Sequence, residues 1–172
     1  SDAAWQVLGQ QVLMQSMAIP AELLLNATDP DVLAKYSAPL EKLATGQPLN
    51  QDELALFDEA SKIPYNLDAW DGYGVERETI LQTAAGLGKR LVSLAGDTHN
   101  AWSGVLDVMS AGAAEPGQVV GVEFATPGVS SPGIESAFGP GLEPLFTSYT
   151  DGLSYADLSR RGFLDITFHP DH

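Results

Sequence analysis

Arg90-Leu91-Val92-Ser93-Leu94-Ala95-Gly96-Asp97-Thr98-His99-Asn100 is the stretch on which the reading of this chain turns. Leu91 to Ala95 form a short, near-continuous apolar run, the pattern of a strand buried on both faces. The run stops at Gly96, a residue that tolerates unusual dihedrals and lets a ligand approach the backbone. Asp97 and His99 follow, two residues apart. In an extended segment such residues point to the same side. A carboxylate and an imidazole are therefore expected to face one object beyond the strand's carboxyl end, where open α/β sheets build their sites. The competing reading makes Asp97 a turn or helix cap and His99 a structural residue.

Upstream, Glu76 and Glu78 open a helical pattern in which Ile80, Leu81, Ala84 and Leu87 make one apolar stripe. Gly86 and Gly88 offer left-handed caps, and Lys89-Arg90 lie where the helix dipole favours cations. Helix, short turn and buried strand together make an α/β unit. Tyr65 to Tyr73 reads as a polar-aromatic loop. A helical insertion is expected over residues 18–64. It holds a helix begun at Asp29-Pro30-Asp31 and limited or kinked at Pro39, then a capping box at Asn50 to Glu53 leading into Leu54, Phe57 and Ala60. Trp5 to Met14 reads as a strand interrupted near Gly9. Downstream, Val105 to Met109 is a strand or short helix, Ala111 to Gly117 a small-residue turn, Gln118 to Thr126 a β segment, and Phe163 to Phe168 a closing strand. No internal repeat stands out.

The 172 residues suit one domain with a real core. Eight basic residues against 23 acidic ones give a formal charge of −15, which argues against a nucleic-acid or anionic-membrane surface. The chain has no cysteine, so disulfides, zinc-thiolate sites and cysteine nucleophiles are excluded within it. No apolar run approaches the length of a membrane span.

Gly128-Val129-Ser130-Ser131-Pro132 lacks the last glycine and the strand-to-helix context of a nucleophile elbow. Gly86-Leu87-Gly88-Lys89 is neither a P-loop nor a dinucleotide fingerprint. Asp68, Asp71 and Gly72 lack the later ligands of a calcium loop. His169 and His172 fall in a terminal tail. Trp70, Tyr73 and Arg77 are candidates to line a substrate site, with Arg77 gripping a phosphate or pairing with a carboxylate. Their structural alternative is aromatic packing and ion pairing.

Four stretches in order resemble the alkaline phosphatase D family of metallophosphoesterases: Trp5 to Met14, Asp68 to Arg77, Leu91 to Trp102, and Val122 to Ser131. The run from Tyr155 to Thr167 is similar as well. The combination of Trp-Asp-Gly-Tyr with Gly-Asp-x-His carries more information than either element alone. The resemblance implies a layered α/β sandwich, here as its incomplete C-terminal half, whose strand-end loops hold two metal ions. Calcium and iron are the pair it suggests. It makes Asp97 and His99 the catalytic and metal-site residues, His99 as a ligand or phosphate-contacting partner, with metal-activated water attacking a phosphate mono- or diester. It also implies a periplasmic or extracellular location. The rest of the site is expected from an N-terminal half of the same domain that this chain lacks, so the chain alone should be inactive. The rival function is a non-catalytic acidic binding module with an aromatic ligand surface of Trp70, Tyr73 and Trp102.

Overall fold

The computed structural model describes residues 3–108 and 117–169. In chain order it forms β1 (Trp5–Gly9), β2 (Ala18–Pro20), α1 (Ala21–Leu25), α2 (Pro30–Ala44), α3 (Gln51–Ala55), β3 (Lys62–Pro64), α4 (Gly74–Leu87), β4 (Arg90–Ala95), β5 (Ala101–Asp107), β6 (Val119–Ala125), α5 (Glu135–Phe138), α6 (Glu143–Tyr149) and β7 (Leu153–Asp157). Five strands make one mixed sheet in the order β1-β4-β6-β5-β7, and β2 pairs with β3 in a separate ribbon. β1, β4 and β6 run parallel, so their carboxyl ends open on one side of the molecule. β5 runs antiparallel to β6.

Pairing fixes which residues share a face, because side chains alternate along each strand. Leu8, Ser93, Glu123 and Gly104 lie in one row across the sheet. This face is covered. Leu81 and Ala84 of α4 pack with Leu91 and Leu106, while Leu145 and Phe146 of α6 pack with Trp102 and Ala125. The next row, on the opposite face, is Val7, Val92, Val122 and Val105. Among the described residues, an extended strap from Gly162 to His169 runs along that face. Trp5 Nε1 donates to the His169 carbonyl at 2.8 Å, and Phe168 meets the Trp5 ring edge-on at 5.6 Å. Between strap and sheet lies a cavity of about 700 Å3, lined by Gln10, Leu94, Thr126, Leu164 and Ile166 among others.

Several expectations need correction. β1 stops at Gly9 with no bulge, and Gln10 to Met17 leave the ladder to cross the covered face. Pro39 sits inside α2, which continues to Ala44. The capping box at Asn50 forms as read, but α3 ends at Ala55, so Ala60 lies in a separate 3-10 turn. Gly86 is interior to α4, and only Gly88 adopts the left-handed cap, at φ 60°. Phe163 to Phe168 joins no ladder; alternation of apolar side chains makes a strand only where an open edge runs alongside. The closing strand of the sheet is instead β7. The stretch read as a helical insertion, residues 18–64, holds α1 to α3 and the β2–β3 ribbon, and its Ile19, Leu23 and Tyr36 share one buried cluster with Phe146 and Tyr149. The Met109 end of the predicted strand, most of the turn at 111–116 and His172 lie outside the described residues.

Candidate active site

β4 ends where its sequence predicts, and Gly96 donates its amide to the Gln11 carbonyl at 3.0 Å. The turn beyond it is not extended. Asp97 has φ 66° and His99 φ 59°, and these are the non-glycine residues with positive φ among those described. The argument that i and i+2 share a side of a strand therefore fails here. The unusual dihedrals also fall on Asp97 and His99 rather than on Gly96, where an added Cβ would meet nothing nearer than 3.9 Å. Exposure alternates instead through the turn. Asp97 and His99 face solvent, while Thr98 is half-buried and Asn100 fully buried.

The inward residues hold the turn in place. Trp102 Nε1 donates to Thr98 Oγ1 at 2.9 Å. Asn100 Nδ2 donates to the Leu158 carbonyl at 3.0 Å, and its Oδ1 accepts from the Ile134 amide at 3.3 Å. Gly133 makes room for this side chain, since a Cβ there would stand 2.2 Å from Asn100 Nδ2. His99 Nδ1 lies 2.9 Å from the Pro132 carbonyl. A carbonyl only accepts, so Nδ1 is the donor of this pair, and Nε2 is left for another partner. The Asp97 carboxylate takes no hydrogen bond among the described residues, which removes the cap reading. Together the turn displays one oxygen donor and one nitrogen donor at the mouth formed by the parallel strands.

The other candidates divide. Arg77 is 3 % exposed; Nε donates to the Met14 carbonyl at 2.7 Å, and Nη1 lies 3.9 Å from Glu78. Of the two readings of this residue, the described contacts are those of a buried guanidinium beside a carbonyl and a carboxylate. Trp70 is half-buried and donates its indole Nε1–H to Gln10 Oε1. Tyr73 is 54 % exposed and shares an apolar cavity of about 320 Å3 with Val12, Trp70 and Glu76. Asp71 accepts from the Met17 amide at 2.9 Å. The Trp-Asp-Gly-Tyr motif thus grips the crossing segment and leaves Tyr73 as its outward-facing member.

One charged residue of this neighbourhood escaped the sequence reading. Glu123, in the middle of β6, is 1 % exposed. Burial pushes its carboxyl above the usual carboxylate range, against the lowering effect of the Gln15 and Met14 amides, the Ser93 hydroxyl and the Gln10 side chain. An acid within the apolar run from Val119 to Phe124 was the available signal, since buried acids are rare without partners.

These features define an α/β domain with a donor pair displayed at the carboxyl ends of parallel strands. A family model described as PhoD-like phosphatase matches residues 1–172, and the chain belongs to that family. The solved structure of PhoD matches with a TM-score of 0.53 at 19% identity, over 94% of this chain and 23% of that one, a likeness of fold. No curated protein matches. No helix among the described residues is long and apolar enough to cross a membrane.

Proposed function

We propose that this chain is the carboxyl-terminal portion of a metal-dependent phosphatase domain that hydrolyses phosphate mono- or diesters, exported to the periplasm or cell surface. The observation that carries this reading is the left-handed turn after β4. Two residues with side chains hold sparsely populated dihedrals, and both are exposed, with the Asp97 carboxylate and His99 Nε2 taking no hydrogen bond among the described residues. Strain of that kind, on residues that contribute little packing, is a mark of sites.

Asp97 and His99 suit a hard or borderline cation, one as an anionic oxygen ligand and the other through Nε2. Fixing Nδ1–H on a backbone carbonyl is the usual way a protein orients a ligating histidine. Calcium prefers six or more oxygens, and zinc four ligands, so two donors make only a corner of a centre. Accordingly, among the described residues no group of three or more His, Cys, Asp or Glu is placed to hold a metal. Two bound metals, for which calcium and iron are our assignment, would polarise the phosphoryl oxygens and activate water. Asp97 adds negative charge at that place. His99 would either hold a metal through Nε2 or, as the imidazolium with Nδ1–H on the Pro132 carbonyl, turn an Nε2–H to a phosphoryl oxygen and pass that proton to the leaving alkoxide. Tyr73 is the aromatic contact for the ester's organic group, with Trp70 behind it.

The missing ligands come, in this reading, from the rest of the domain seated on the valine face. That face is apolar and thinly covered, whereas sheets with parallel strands are ordinarily covered on both sides. The test compares this chain with the polypeptide that joins it to that remainder. The longer protein should release nitrophenol from p-nitrophenyl phosphate or its diester, lose this on chelation, and regain it with added metal. This chain with the same metals should do neither. Turnover by the longer protein that survives exhaustive chelation would refute the proposal.

A further inference from the structure

We infer that Glu123 is a positioning residue, an anchor shared by both motif loops of the site; this rests on the functional reading of Asp97 and His99 given above. Its carboxylate collects four donor groups. The Met14 amide donates to Oε1 and Oε2 at 2.9 and 3.0 Å, and the Gln15 amide to Oε2 at 2.7 Å. Ser93 Oγ donates to Oε1 at 2.8 Å, and Gln10 Nε2 to Oε1 at 3.2 Å. No cation is among these partners.

A buried acid so arranged does not repay its desolvation as a generic core residue. Its value lies in what it holds. Gln10 still donates its amide to the Leu94 carbonyl of β4, but the irregular segment after it is pressed onto the covered face of the sheet, and its amides need acceptors from outside the ladder. Glu123 supplies them for Met14 and Gln15. Gly104, paired with Glu123 across the ladder, leaves the space: a Cβ there would stand 2.6 Å from Gln15 Oε1.

The segment then turns its remaining groups outward to the two motifs. Gln11 gives its carbonyl to the Gly96 amide, at the root of the Asp97–His99 turn. Leu13 gives its carbonyl to the Trp70 amide at 3.1 Å, Gln10 its Oε1 to the Trp70 indole, and Met14 its carbonyl to Arg77. Carboxylate, segment and motif loops therefore form one hydrogen-bonded chain. Glutamine at 123 breaks it, because its amide nitrogen must face a donor. Flipping Gln10 to compensate would turn that residue's own nitrogen onto the Trp70 indole.

The test is amide and indole hydrogen exchange by NMR on this chain without metal. In Glu123→Gln, the Gly96 amide and the Trp70 indole should exchange at least about tenfold faster relative to the Val92 and Val122 ladder amides, a local opening rather than global unfolding. Leu23→Ala, a core truncation in α1, should speed all of them together. Should Glu123→Gln fail to fold, Ser93→Ala removes one donor from the carboxylate and should give the same selective rise, smaller in size. In the longer, active polypeptide, Glu123→Gln should lower kcat with KM unchanged. Gly96 and Trp70 exchanging only in step with the ladder in the folded variant would overturn the inference, whatever the enzyme assays show. Conversely, Asp97→Ala with full turnover would sink the functional reading and leave the exchange result standing.

Discussion

Asp97→Ala, placed in the polypeptide that joins this chain to the rest of the domain, should lower kcat/KM for p-nitrophenyl phosphate roughly a thousandfold, or about 4 kcal/mol of transition-state stabilisation. The carboxylate is solvent-facing and takes no hydrogen bond among the described residues, so its removal leaves no orphaned donor in the fold. Its loss should therefore appear in metal content and turnover, with circular dichroism and thermal unfolding nearly unchanged. His99→Ala should follow it in turnover, with a small stability change from losing the bond to the Pro132 carbonyl. Wild-type metal content and turnover in Asp97→Ala would contradict the assignment.

Gly72→Ala should act on the fold rather than the chemistry. An ideal Cβ at this position stands 1.9 Å from the Leu67 carbonyl oxygen and 2.9 Å from its carbon. Those are backbone atoms, which cannot swing aside as a side chain would. The turn they close is also tied down, since Gly72 donates to the Ala69 carbonyl and Trp70 to the Leu13 carbonyl. Relief demands moving the whole Leu67–Tyr73 turn, so a loss of about 3 kcal/mol or more is expected. For a chain of this size that lowers Tm by roughly 10 °C. Calorimetry on the variant decides it, and a shift under a few degrees would show that the turn relaxes freely.

How far the sequence disclosed this molecule follows from what each signal is made of. β4 was legible because five successive small or aliphatic residues have no other comfortable place, and the helix before it because its cap and stripe are local. The capping box at Asn50 was legible for the same reason. The position of the Asp97–His99 turn was legible too, but its conformation was not: the turn with positive φ on two residues with side chains is tied down by Asn100's bonds to Leu158 and Ile134, which are distant in sequence. Arg77 stayed open between two readings because an exposed and a buried arginine look alike until the Met14 carbonyl is seen beneath it. Phe163 to Phe168 misled because a strand is a relation between two segments, and its alternating pattern describes only one of them. Glu123 was overlooked within an apolar run, since two of its partners are backbone amides that carry no sequence signature and the other two, Ser93 and Gln10, lie far off in sequence.

The account's central claim is that the turn after β4 keeps its strained residues for ligands and not for the fold. Urea denaturation of Asp97→Gly tests it most directly. Glycine relieves the left-handed dihedral at the expense of a freer unfolded chain, so stability should stay level or rise by up to about 1 kcal/mol. A cap or structural carboxylate at this position would instead make the variant less stable by about 1 kcal/mol or more, and that result would contradict the claim.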